Sequence, residues 1–459
     1  MAQGIYRLAT ITTSTPRRKR IKSQQLAWGV MLFSFAVFCA IFIFVIVGLQ
    51  YFFFQSRVPL RSMVDVPLGT ATLVDADLNQ TAVTKSDEMF YGSVLTTDTQ
   101  SQASVSFVDS KHDNQLIASV TVENGSSLNL RQDSRPRFDL SSDEPYWLDF
   151  KDAYGEFDIF VPDNIVRPIL IEFGTTIGPS ARLTASGHYT LIAAGEQVQL
   201  INYTGKALLI APDDQTQNVD AGQTASISAT SNQFTLAPHP DMLGDAGFTT
   251  ENVLDINGDS TKVKPQVWIC NNTVQNPGDP MGTVGLTTVD GRPALRLMRG
   301  NGTETHGETQ CWHGLGTTST GGLDVSPYSS VSIRATFKIQ SQSLSACGVD
   351  ASECPLTLAM DYIPANGGDP VKWYHGFYAE IDPNKGFPLR CDSCSEQHEQ
   401  INSGTWYTYE IRNLFETFAP QVRPKLILNM RFYASGHQYE VYVSQVVLLG
   451  DQTVIAGGS

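Results

Sequence analysis

The chain has 459 residues, with 31 basic against 46 acidic side chains, a formal net charge of −15 and 41% hydrophobic residues. The excess of acid excludes a nucleic-acid binder, because phosphates need clustered Lys and Arg to release counterions and no such cluster follows Arg61. A length of this order exceeds one core of the usual size and predicts two globular domains.

From Leu26 to Leu49 the chain carries no charge. A helix rising about 1.5 Å per residue would reach about 36 Å there, enough to cross a ~30 Å hydrocarbon core. The run continues into Gln50, Tyr51 and Phe52–Phe54 without the small-residue exit of a secretory leader, so residues 26–54 are expected to stay as a transmembrane anchor. Apart from Ser34 the segment is apolar all round, which a half-wet core helix would not be. Residues 1–25 hold Arg7, Arg17, Arg18, Lys19, Arg20 and Lys22 and no acid. They predict a cytoplasmic basic tail, with everything after Ser56 outside. Trp28 and Tyr51 suit the two interfacial belts.

Beyond the helix the hydrophobic period becomes two. Ala103, Val105 and Phe107 alternate with Ser104 and Ser106, and Leu128 and Leu130 repeat the pattern, as half-buried strands do. Gly69, Gly92, Gly125, Gly187, Gly195, Gly205 and Gly222 fall where such strands should end. This gives an all-β domain over residues 62–237, followed by a polar linker at 238–264 that contains "DINGDSTK". In residues 265–455, Val331, Ile333, Ala335, Phe337 and Ile339 alternate, as do Tyr439, Val441 and Val443. These are strands of a jelly-roll-type β-sandwich. "TWYTYEIRNLFETF" allows either a short helix or a bent strand.

Cys39 lies in the membrane run, and Cys270, Cys311, Cys347, Cys354, Cys391 and Cys394 all lie in the sandwich region. An even count on the exported side predicts disulfides. Short loops favour Cys347–Cys354 and Cys391–Cys394, leaving Cys270 with Cys311, although spacing does not by itself choose the pairing. The competing readings are a zinc site, since His398 follows the C-x-x-C, and a redox C-x-x-C. The first lacks a second C-x-x-C, and the second lacks a βαβ setting.

With these strands in view, "MFYGSVLTTDTQSQASVSFVDS" followed by "NGSSLNL" resembles the FecR family, as does "ASGHYTLIAAGEQVQLINYTGKALLIAPDDQTQNVDAGQTASIS" with its closing Ala221–Gly222–Gln223 turn. The likeness covers roughly residues 62–230. The segment Lys111–Val122 departs from it and implies an extra hairpin or a longer loop. Members of that family can carry a signal across a membrane to a cytoplasmic sigma factor. The tail here is too short to bury a core, and no STN-like module follows, so sensor and scaffold both stay open. The stretches "PALRLMR", "LDVSPYSSVSIRATFKI" and "LNMRFYASGHQYEVYVSQVVLL" resemble carbohydrate-binding and galactose-binding-like sandwiches in their strand grammar.

The sandwich region holds Trp268, Trp312, Trp373 and Trp406, with Tyr374, Tyr407 and Tyr409 beside two of them. Rings of this kind stack on sugar faces or plug a core. Trp373, Tyr374 and His375 in "VKWYHGFYAEID" cannot all point inward on a strand, so they form the expected ligand patch, together with Trp312 and Trp406. Glu380 and Asp382 would share a strand face, but Lys385 stands where a laminarinase-like third carboxylate belongs, and no catalytic residue is assigned. His306, Glu308 and His313 could hold a metal, and Asp361, Asn366 and Asp369 calcium, yet surface turns explain both sets, and no metal or cofactor is expected.

The expectation is a single-pass, non-enzymatic sensory or binding protein of the cell envelope whose partners are the membrane and an envelope glycan or protein. The alternatives are a membrane-held glycan-cleaving enzyme and a structural envelope protein without a ligand.

Overall fold

The computed structural model describes residues 23–139, 142–228, 230–244, 247–256, 267–300, 302, 304–315 and 321–451. Residues 1–22 of the basic tail and most of "DINGDSTK" lie outside them.

Ser23–Phe54 form one helix, and within it the 29-residue run Leu26–Phe54 is long and apolar enough to cross a membrane. It groups with Pro136–Ser142, where the Arg137 N–H donates to Ser56 O at 3.0 Å and Phe138 packs 5.2 Å from Phe52.

Arg57–Arg135 and Asp143–Ser459 make a second compact unit, built almost wholly of strands. Strands from Arg57–Pro59 to Phe234–Pro238 join into a closed barrel. Its organising element is the 16-residue strand Tyr146–Val161. The first half pairs in parallel with Ile169–Thr175 and antiparallel with Ser127–Pro136, and the second half pairs antiparallel with Gly187–Ala194 and Gln115–Val122. The strand changes partners around Gly155, which has φ of 104°. A Cβ there would sit 2.1 Å from Ser126 Oγ, so only glycine lets the bend close. Inside, Phe150 stacks on Phe173 at 4.6 Å and Phe107 meets Phe150 edge-on at 5.7 Å. Burying each such ring contributes about 1.5–3 kcal/mol. The Lys111–Val122 segment is a hairpin arm, with Gln115–Val122 pairing against Gln102–Asp109. All seven glycines named at strand ends have positive φ.

The sandwich has an eight-stranded and a five-stranded sheet. The first runs Val253–Asp255, Trp268–Val274, Gly307–Gly314, Pro424–Gly436, Leu356–Pro364, Val371–Tyr378 and Glu399–Gln400, with Leu323–Asp324 also on Pro424–Gly436. The second runs Thr283–Val289, Arg292–Arg299, Tyr439–Asp451, Ser330–Gln342 and Tyr407–Ile411. Between them lie Trp268, Leu297, Ile333, Phe337, Phe377, Phe432 and Val441. Leu243 and Phe248, from the stretch expected as a linker, belong to this core. The ambiguous "TWYTYEIRNLFETF" resolves into both readings, a strand at Tyr407–Ile411 and then a helical turn at Leu414–Thr417 capped by Asn413.

The outer face of the five-stranded sheet packs on the barrel through polar groups. Arg292 Nη2 donates to Ser119 Oγ at 3.0 Å, and Gln445 Nε2 donates to His188 Nδ1 at 2.7 Å. The Gln102 side chain pairs with the Thr408 backbone, giving a hydrogen bond to its carbonyl at 2.8 Å and accepting one from its N–H at 3.0 Å.

Candidate functional site

The outer face of the eight-stranded sheet is set by alternation. On Pro424–Gly436, Met430, Phe432 and Ala434 point into the core, so Asn429, Arg431 and Tyr433 point out. The register then aligns neighbours: Ile269, Trp312, Arg431, Ala359 and Tyr374 stand abreast in one row. The next row is Asn271, Gln310, Tyr433, Thr357 and Gly376. Thr357, small among these larger side chains, leaves a trough beside them. The result is a groove of about 410 Å³ lined by Glu308, Lys372, Tyr374, Arg431 and Tyr433, with Cys391 on its wall.

The Arg431 guanidinium lies 5.1 Å from the Tyr433 ring centre and 5.8 Å from that of Tyr374. These cation–π contacts hold it beside both rings. Its buried Nε has no hydrogen-bond partner among the described residues. Burial raises the Glu308 carboxyl above its usual range, against the pull of Arg431 and His306, and pushes the Tyr433 hydroxyl up to about 12. Tyr433 therefore stays a neutral donor at any physiological pH. Ring faces beside such donors and acceptors, carried on a rigid sheet, can grip a ligand with apolar faces and many hydroxyls.

The expected ligand residues separate. Tyr374 and Trp312 lie on this face, in one row. Trp373, 3% exposed, and His375, 5% exposed, point the other way into the core, where His375 stacks on Tyr409 at 4.7 Å. Trp406 sits beside the five-stranded sheet, donating from Nε1 to Asp290 Oδ2 at 3.1 Å with Arg292 over its ring. Arg431 and Tyr433 were not singled out from the sequence, and Glu308 only as a candidate metal ligand. Their signal was present in "NMRFYASG" and "GETQCWHG", where polar or aromatic residues alternate with core ones.

Cys391, Cys394 and His398 bring their ligand atoms within 4.8 Å of one another, with both sulfurs joined in a disulfide, whereas His306, Glu308 and His313 do not all converge. Glu308 faces the groove, whereas His313 on the same strand faces inward, 5.4 Å from Trp268. His306 Nδ1 is 2.5 Å from Glu353 Oε1. Asp361 accepts from Asn429 Nδ2 at 2.9 Å. Glu380 and Asp382 lie past the end of their strand, which stops at Tyr378, so they share no strand face. The six cysteines of the sandwich region pair as Cys270–Cys311, Cys347–Cys354 and Cys391–Cys394.

A larger cleft of about 1140 Å³ lies between barrel and sandwich, lined by Phe160, His188, Phe248, Arg292 and Gln445 among others. Its floor is already tied up: the Arg292 guanidinium covers the Phe160 ring at 4.4 Å.

Neither a protein-family profile nor any curated protein matches the sequence. Among solved structures, a candidate anti-sigma factor from Parabacteroides distasonis aligns over 32% of this chain at 12% identity, TM-score 0.22. The chain spans 59% of that protein's length. A family 11 carbohydrate-binding module from Clostridium thermocellum, solved with a β-1,3-1,4-mixed-linked tetrasaccharide, aligns over 40% of this chain and 89% of its own, at 12% identity and TM-score 0.23. A family 30 module from the same organism aligns over 38% and 84%, at 12% identity and TM-score 0.20. At such scores the likenesses decide nothing about a ligand, and the groove must be read by its own chemistry.

Proposed function

We propose that the chain is a membrane-anchored, exported binding protein whose eight-stranded sheet holds a glycan in the groove around Arg431. The observation that carries this is the row Trp312, Arg431, Tyr374, flanked by Tyr433: three rings and a guanidinium on one face of a pre-formed sheet. Sugar rings present apolar C–H faces to such aromatics and hydroxyls to the groups between them. Export fits the basic tail before the helix and the three disulfides after it. Glu308 is the one carboxylate lining the groove among the described residues, whereas glycosidic cleavage uses a pair, which favours binding over hydrolysis.

The test is a binding screen of the detergent-solubilised full chain against cell-wall and plant polysaccharides. Trp312→Ala and Tyr374→Ala should each weaken the best ligand at least about tenfold, roughly 1.4 kcal/mol. Binding by both variants as tight as the parent's, or none by the parent chain, would overturn the reading. Release of reducing sugar that disappears in Glu308→Gln or Glu380→Gln would replace it with the enzyme. A sensory role for the barrel rests on its resemblance to FecR domains; recovery of a sigma factor by crosslinking through the basic tail is its direct test.

A further inference from the structure

Cys391 and Cys394 close a tight turn, the Cys394 N–H donating to Cys391 O at 3.1 Å. The two cysteines differ in exposure. Both line the groove, but Cys391 is half-buried whereas Cys394 is 7% exposed. His398 Nε2 lies 3.8 Å from Cys394 Sγ. Its tautomer is set by the backbone, because Nδ1 accepts from the Gly376 N–H at 3.0 Å, which leaves the proton on Nε2, where it also points to Ala351 O at 2.8 Å. Burial lowers the imidazole's pKa, keeping the ring neutral. The other two disulfides differ in kind: Cys270 and Cys311 are 0% exposed, and Cys347 and Cys354 0% and 1%.

We propose that Cys391–Cys394 is a thiol–disulfide exchange site opening on the groove, its substrate an extracytoplasmic dithiol reductant. Exchange rates depend on which sulfur is reachable and on how well the leaving thiolate is stabilised, and this pair separates the two roles. A thiolate of the dithiol attacks Cys391 Sγ. The new S–S bond forms, the Cys391–Cys394 bond breaks, and its electron pair leaves on Cys394 Sγ, beside the His398 N–H. The second thiolate of the dithiol then attacks the mixed disulfide and releases Cys391. The dithiol ends as a disulfide, and the protein pair gains two electrons and two protons. A neutral His398 that already carries its proton on Nε2 acts as a hydrogen-bond donor to the departing sulfur. Reduction would also free the turn that walls the groove beside Tyr374 and Tyr433. The proposal does not depend on a glycan being the groove's ligand.

The experiment treats the folded full chain in detergent with graded dithiothreitol, blocks thiols with N-ethylmaleimide and maps labelled peptides by mass spectrometry. Cys391 and Cys394 should label at a dithiothreitol concentration at least tenfold below that needed for the other four exported cysteines, with circular dichroism unchanged. His398→Gln, which keeps an acceptor for Gly376, should slow labelling of this pair several-fold. Labelling of all six cysteines together as the chain unfolds would overturn the proposal, as would a His398→Gln protein that folds and exchanges at the parent rate.

Discussion

Arg334 Nη2 lies 2.8 Å from Asp158 Oδ1, across the junction of sandwich and barrel, and both residues are 0% exposed. Burial alone would raise the Asp158 carboxyl, yet Arg334 and His188 together hold it well below the usual carboxylate range. His188 Nε2 approaches the same oxygen at 2.6 Å, and Arg334 Nη1 also donates to Thr190 Oγ1 at 3.0 Å. Removing one member strands the rest without water. Arg334→Met should therefore cost about 3–5 kcal/mol, and adding Asp158→Asn to it should cost less than the two single changes summed. Urea unfolding checks both; an additive double variant would show that the pair is not coupled.

This junction is also where the sequence was least readable. Val331, Ile333, Ala335, Phe337 and Ile339 alternate with polar residues, and all five are buried in the sandwich core as the pattern requires. Arg334, Thr336 and Lys338 look like the wet face of the same strand, but they are buried too, against the barrel. A polar residue that meets water and one that meets a polar interface leave the same mark in a sequence. Similarly, "WYH" required at least one outward side chain, and alternation makes it Tyr374, but only the register of neighbouring strands reveals that Arg431 and Trp312 stand beside it. The disulfide pairing was more accessible, because short loops favoured two bridges and left the third.

Asp133 supplies a pH test within the barrel. Burial raises its carboxyl to about 6, against the Ser62 hydroxyl that donates to it at 2.6 Å. The unfolded chain releases this proton near 3.8, so between that pH and about 6 the folded state binds more protons. Its contribution is thus complete below 3.8, declines as pH rises through about 6 and is flat above. Asp133→Asn should remove that decline and raise stability at pH 7 by about 2–3 kcal/mol. Guanidinium unfolding at pH 4, 5.5 and 7 reads the slope; the same slope in both proteins would exclude Asp133 as its source.

Cys270 and Cys311 join adjacent strands in the centre of the sandwich and close a loop with a sequence separation of 41. A bridge spanning that much chain is worth about 4 kcal/mol through the unfolded state. The double substitution to Ala also removes two buried side chains, and should lower the unfolding free energy by at least that amount under oxidising conditions. Loss of less than about 1 kcal/mol would mean that the unfolded chain is already compact in this region.

Gly376 and Gly285 both lie in strands of the sandwich, and they should respond oppositely to the same change. A Cβ at Gly376 would fall 2.3 Å from Cys354 Sγ and 2.7 Å from His398 Nδ1, atoms fixed by a disulfide and by the Gly376 N–H itself. Neither can retreat without losing a bond, so Gly376→Ala should cost about 2 kcal/mol or more. At Gly285 nothing lies within 4 Å, and Ala there restricts only the unfolded chain. Gly285→Ala should leave stability unchanged or raise it by up to about 1 kcal/mol. Thermal unfolding of the two variants side by side decides the matter, because a strand that merely disliked alanine would penalise both, whereas a crowded His398 penalises Gly376→Ala alone.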